Sequence, residues 1–322
     1  MAENDYVYAV ARIRAQEMKL LSASFLEQMI PLPDEEACLR LLAEKGWGSP
    51  GQDAGAMLSE EHKKTWDLMA ELTGRHMEIF DVFRLENDYH NLKAAVKSTC
   101  SDQQIEGIYV EAGTVPLERI RAAASGNDFS GLPGRMASAG EEAMDTLLKT
   151  GDGQVCDCIL DRAALEDICE AGRKSGEKIL EEYGEMRCAS GDIRIAVRCA
   201  RTGKDRTFLE RAVADCRSLS RQQLIDAAAA GVEAICTYLS HTDYADAAAE
   251  LEKSMSAFEK WCDDSLIRRV RPELYDSFGP GPLAAYILAR ESEIRSVRII
   301  LSGKRNAMPE QAIRERVRET YV

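Results

Sequence analysis

Long apolar runs are missing from this chain: no stretch of about 18 apolar residues occurs, so no segment is expected to span a bilayer. The opening "MAENDYVYAV" lacks the basic start and apolar stretch of a secretory signal. Aromatics make up only 6% of the 322 residues, and alanine and leucine dominate the apolar set, a composition that favours helices over sheets. Excess positive charge is missing too. The formal net charge of -14 argues against a general nucleic-acid binder, whose affinity rests on cations.

The usual marks of chemistry are also scarce. The four histidines (His62, His76, His90 and His241) have no partner at the helical spacing of a metal site. The glycine-bearing turns "GDGQ" and "FGPGP" lack the lysine and hydroxyl that a phosphate-cradling loop needs. Asp263 and Asp264 resemble the start of an aspartate-rich magnesium helix, but Ile267 stands where the next carboxylate would have to be. Ten cysteines are scattered, with Cys156 and Cys158 in C-D-C rather than C-x-x-C spacing and no second pair placed for zinc. They read as reduced, buried, small hydrophobes. The residues therefore predict no catalytic site, no cofactor and no metal.

What is present is helix. Apolar residues make up 45% and charged residues 30%, ordinary proportions for a folded chain. "AVARIRAQEMKLLSASFLEQMI" predicts an apolar stripe of Val10, Ile13, Met18, Leu21, Phe25, Leu26 and Met29. "PLPDEEACLRLLAEKGWGSPG" predicts a break, a short helix capped at Asp34, and a stop at Gly46. From Leu58 to Cys100 the pattern predicts one long helical run with a kink near Gly74. Charge is uneven along this frame. Residues 261–322 carry 11 Lys and Arg against 9 Asp and Glu, leaving -16 for the first 260. That acidic mass reads as a solvated surface or as a body that meets basic partners.

Internal similarity carries more information. "NLKAAVK" (91–97), "DIRIAVR" (192–198) and "SVRIILS" (296–302) share a register in which Lys93, Arg194 and Arg298 correspond. A second set, "LLSASFLEQM" from Leu20, "PLERIRAAASG" from Pro116 and "SRQQLIDAAAAG" from Ser220, keeps nearly the same period. The chain therefore reads as an all-α protein of three related helical domains: 1–108, 109–214 and 215–322. Three such units joined head to tail predict a pseudo-threefold funnel or collar, with a solenoid as the competing arrangement.

The most distinctive stretch is "FGPGPLAAYILARESEIRSVRIILSGKRNAMPEQAIRERVRETY", residues 278–321. Gly279, Pro280 and Pro282 predict a stiff turn that fixes entry into a helix, with Leu283, Ile287, Ile294, Val297 and Leu301 on its apolar side. Glu291 stands four residues before Arg295, and Glu310 before Arg314, the favourable order for side-chain ion pairs. Glu293, Arg295 and Arg298 complete a charged face that is either solvated or reserved for a partner.

This stretch resembles the C-terminal signature of the C subunit of V/A-type rotary ATPases, a relative of the eukaryotic vacuolar ATPase d subunit. "YVYAVARIRAQEMKLLSASFLEQMI" and "FRLENDYHNLKAAVK" resemble the family's opening helix and first-repeat helix. Gly281 stands where relatives often carry an acidic residue, and Ser296 where asparagine is usual. The resemblance implies a non-catalytic central-stalk subunit, peripheral on the cytoplasmic face of the membrane. There it would act as the socket between the rotor shaft of subunits D and F and the membrane proteolipid ring, with the membrane stator subunit as a further contact. It implies no nucleic-acid partner and no small-molecule substrate. Lys93, Arg194, Glu293, Arg295 and Arg298 are the expected contacts to socket or ring. The competing reading is an unrelated helical scaffold assembling a cytosolic complex.

Overall fold

A computed structural model describes residues 6–49, 51–101 and 107–322. Part of the expected first boundary, residues 102–106, and the first five residues lie outside the described set. The described residues form helices, turns and loops with no strand. They fall into two compact units, one of residues 1–77 with 250–322 and the other of residues 78–249. These units do not follow the thirds marked by the sequence repeat, because the last long helix of the chain packs into the core of the first segment.

The first unit begins with α1 (Val7–Glu17), α2 (Ala23–Met29), α3 (Glu35–Glu44) and α4 (Ala54–Thr73). The expected apolar stripe is interrupted: α1 ends at Glu17, and α2 restarts with Ser22 accepting from the Phe25 amide. Met18 falls in that break and is 88% exposed, whereas the other stripe residues are buried. The helix after the proline-rich break follows its sequence signals. Asp34 accepts from the Ala37 amide at 2.8 Å, and Gly46 takes positive φ just beyond the end. The long run expected from Leu58 is not one kinked helix. Gly74, at φ 51, stops α4, and a 3-10 stretch from Gly74 to Phe83 intervenes.

The second unit contains α5 (Leu85–Ser101), α6 (Leu117–Gly126), α7 (Gly134–Thr150), α8 (Gly153–Ser175), α9 (Lys178–Thr202), α10 (Arg206–Ala212), α11 (Arg221–Ala230) and α12 (Val232–Leu239). Its core joins Leu92, Val96, Ile120, Phe129, Met136, Met144 and Leu160. Helices α8 and α9 are its closest pair. A Cβ at Gly184 would stand 2.7 Å from the Ile168 carbonyl oxygen, so glycine there permits backbone-to-backbone approach. Helix α13 (Ala245–Lys253) leads back to the first unit.

There α14 (Met255–Val270), a 3-10 turn over Arg271–Tyr275, α15 (Gly281–Arg305) and α16 (Glu310–Arg314) complete the chain. Helix α15 packs against α1, α3, α4 and α14. Leu283, Ile287, Ile294, Val297 and Leu301 are all buried, as their spacing predicted. Helix α15 is lined by neighbours on several sides, and even Arg290, Ser292, Glu293 and Ser296 are inside. Its entry is built by the expected turn: Gly279 takes φ 70, Pro280 is the cap, and Pro282 lies in the first helical turn.

Candidate functional site

The sequence repeat acquires a physical meaning in three helices. Asn91 on α5, Asp192 on α9 and Ser296 on α15 open the three similar heptapeptides, and each is 1% exposed. Each accepts a backbone N–H from the chain returning about twenty residues later. Asn91 Oδ1 accepts from Val110 at 2.9 Å, and its Nδ2 donates to the Val110 carbonyl at 2.7 Å. Asp192 Oδ1 accepts from Ala214 at 2.8 Å, and Ser296 Oγ from Arg318 at 3.2 Å. One register thus does one job three times: it pins an extended segment to a long helix. Asp88 reinforces the first joint by accepting from the Thr114 and Val115 amides and the Thr114 hydroxyl. In the third, Asp264 accepts from the Glu319 amide at 2.7 Å.

The corresponding cations lie two residues further on, about 200° around a helix and so away from the joint. Lys93 is partly buried and paired with Asp161 of α8. Arg194 is also partly buried on α9. Arg298 is exposed on α15, without an ion pair among the described residues.

The acidic member of the expected contact set, Glu293, is inside the first unit at 6% exposure. It accepts from the Leu21 amide and from Arg290 Nη1. Arg290 in turn donates from Nη2 to Glu61 at 2.6 Å and from Nε to Thr65 Oγ1 at 3.3 Å, with its guanidinium 5.0 Å from the centre of a Trp47 ring. Burial opposes the charge on Arg290, but Glu293, Tyr286 and Glu61 outweigh it and hold the guanidinium above its ordinary value. Burial pushes the Glu293 carboxyl above the usual range, with Arg290 and the Leu21 amide opposing. Local helix spacing concealed this network, because Glu61 and Leu21 come from distant segments.

Arg295 is exposed and pairs with Asp263, which also accepts from Arg318 Nε at 2.8 Å. In place of the two helical ion pairs expected from spacing, Glu291 and Arg314 meet tertiary partners. Glu291 lies 2.9 Å from His62, and Arg314 pairs with Glu27 at 3.0 Å. A tertiary partner can meet a side chain head-on, which the weak i,i+4 geometry does not match. The Asp263–Asp264 pair therefore anchors the C-terminal segment. Lys260 strengthens it by donating to Asp264 at 2.6 Å and to the Val317 carbonyl at 2.7 Å.

Among the described residues, one group of metal-type donors converges: Cys188, Asp192 and Cys216. Its sequence trace is Cys188-x-x-x-Asp192, one helical turn on α9, with Cys216 28 residues from Cys188. Long separation, not spacing within a short motif, hid it. No helix among the described residues is long and apolar enough to cross a membrane.

Comparison with known proteins places these features in a family. Residues 9–316 match the family model described as ATP synthase (C/AC39) subunit. The chain is 24% identical to the C subunit of the V-type sodium ATPase of Enterococcus hirae, over 96% of this chain and 97% of that one. It is 25% identical to the C subunit of the V-type ATP synthase of Thermus thermophilus, over 98% of each. To the C subunit of the A-type ATP synthase of Methanocaldococcus jannaschii it is 23% identical, over 95% of this chain and 84% of the relative. With nearly its whole length matched, the chain belongs to the ATP synthase (C/AC39) subunit family, as a structural member of a rotary ATPase and not a catalytic one.

Proposed function

We propose that this chain is the central-stalk socket of a V/A-type rotary ATPase, coupling the D–F rotor shaft to the membrane proteolipid ring. It passes torque between ATP hydrolysis or synthesis and the translocation of protons or sodium. It sits peripherally on the cytoplasmic face, touches the membrane stator as a neighbour, and is the counterpart of the eukaryotic vacuolar ATPase d subunit. Three related helical domains, 1–108, 109–214 and 215–322, close around a pseudo-threefold axis as a funnel or collar. The observation that carries this reading is the family match along residues 9–316. The three equivalent polar joints on α5, α9 and α15 support the repeat within it.

A torque coupling needs stiff repeats and a polar face. Buried side-chain-to-backbone bonds resist sliding of the returning segments. Exposed cations favour rapid, specific engagement with a charged partner over permanent apolar burial. Lys93, Arg194, Arg295 and Arg298 are the proposed contacts to shaft or ring, and Glu293 supports α15 from within. Charge reversal tests them. Arg298→Glu, alone and with Arg295→Glu, is expected to weaken capture of purified D–F while leaving the helical circular dichroism intact. Unchanged capture by the folded double variant would remove this face from the socket.

A further inference from the structure

Three thiols and one carboxylate from distant parts of the sequence meet inside the second unit. Cys169 lies on α8, Cys188 and Asp192 stand one turn apart on α9, and Cys216 follows α10. Cys169, Cys188 and Asp192 are at most 1% exposed, and Cys216 is half-buried. Donor atoms of Cys188, Asp192 and Cys216 all lie within 4.8 Å of one another. Cys169 and Cys188 belong to one buried cluster, and Cys216 packs against it.

The two oxygens of Asp192 have different surroundings. Oδ1 accepts the Ala214 N–H, whereas Oδ2 faces Cys188 Sγ at 4.0 Å. Among the described residues no lysine or arginine forms an ion pair with Asp192. A buried carboxylate with a single N–H partner is costly unless a cation shares the site. The equivalent joints show that the backbone does not require this charge: Asn91 and Ser296 accept the same kind of N–H without one. The acids at the other joints are satisfied: Asp88 accepts from two amides and a hydroxyl, and Asp264 is paired with Lys260, whereas Asp192 Oδ2 faces a thiol.

We propose that Cys169, Cys188, Cys216 and Asp192 Oδ2 form a four-coordinate site for a thiophilic divalent metal of the zinc class. Three sulfurs and one oxygen are donors that zinc accepts in closed structural sites, and their softness excludes magnesium or calcium as the natural occupant. Tetrahedral bonds of about 2.3 Å to sulfur set donors roughly 3.8 Å apart. The donor atoms of Cys188, Asp192 and Cys216 already lie within 4.8 Å of one another, and Cys169 completes the set by turning in from its contact with Glu185. Glu185 supplies an outer shell. Its Oε1 accepts from the Arg217 and Ser218 amides, each at 2.8 Å, and its Oε2 lies 3.5 Å from Cys169 Sγ. The metal replaces the thiol protons, which leave to solvent, and ties α8, α9 and the segment at 213–219 into one joint.

The test uses the full chain, purified under a thiol reductant and dialysed against trace zinc. Elemental analysis is expected to find about one zinc per chain, and cobalt(II) substitution is expected to show sulfur-to-cobalt charge-transfer absorption with tetrahedral d–d bands. Asp192→Asn keeps an acceptor for Ala214, as Asn91 does for Val110, and is expected to stay folded while binding zinc at least about 10-fold more weakly. Cys188→Ser is expected to abolish the cobalt charge-transfer band, and Cys100→Ser to leave it unchanged. A folded, reduced wild-type chain with neither zinc nor a cobalt–thiolate spectrum would overturn the site. So would a mass short of two hydrogens that maps to a disulfide among the three cysteines under the same conditions. Unchanged zinc affinity in folded Asp192→Asn would overturn the role of the carboxylate.

Discussion

Arg290 and Glu61 are 229 residues apart in sequence and form a 2.6 Å ion pair in which both side chains are almost wholly removed from solvent. The pair joins α15 to α4, and through Glu293 it reaches the Leu21 amide at the start of α2. Helices from the two ends of the chain are thus locked by one guanidinium.

A buried pair of this kind punishes the removal of one partner more than the removal of all. Arg290→Met is expected to lower unfolding stability by about 3–5 kcal/mol, because Glu293 is left as a buried acid without a cation and Glu61 keeps only Lys64. Adding Glu61→Leu and Glu293→Gln to that background is expected to recover much of the loss. Urea unfolding of the single and triple variants measures both. Additive losses across the three substitutions would contradict a shared network.

The three repeat joints make a second, comparative prediction. Ser296→Ala leaves the Arg318 amide without its acceptor, and Asn91→Ala strips the Val110 amide and carbonyl together. Each is expected to cost about 1–3 kcal/mol, with Asn91→Ala the larger because two bonds go. Hydrogen exchange is expected to show faster exchange at the named amide, Arg318 or Val110. Protection unchanged in both variants would mean that the joints are incidental.

Asp263 links stability to pH. Burial pushes its carboxyl up, but Arg295 and Arg318 outweigh burial and hold it below its ordinary value of 3.8. A carboxyl depressed in the folded state contributes stability above its unfolded value and loses it as pH falls through the folded one. Wild type is therefore expected to be more stable than Asp263→Asn near neutrality, with the gap closing as pH drops below about 4. Denaturant midpoints across that range check it. A gap that widened on acidification would reverse the sign and refute the pairing.

Much of the helical frame was legible because local physics decides it. Asp34 caps its helix through an interaction three residues long, and the apolar spacing of α15 is the spacing found buried. The register joining Asn91, Asp192 and Ser296 was also visible, although its purpose was not, since each acceptor's partner lies beyond the matching segment. Met18 fits the apolar stripe by composition, but the cap at Ser22 breaks the phase. Glu293 looked like a surface acid until Arg290 and Leu21 enclosed it. Partner choice for Glu291 and Arg314 was likewise decided by side chains brought close only in three dimensions. The thiol cluster follows the same rule: α8, α9 and the segment after α10 must meet before its donors do.

The central claim is mechanical coupling, and ATP-driven ion transport measured beside ATP hydrolysis tests it most directly. Membrane vesicles carrying the rotary ATPase would be prepared with this chain, without it, and with it added back. The account predicts that the catalytic sector without this chain still hydrolyses ATP but drives no ion transport, and that adding the folded chain restores transport. Transport that stays coupled to hydrolysis in its verified absence would contradict the account.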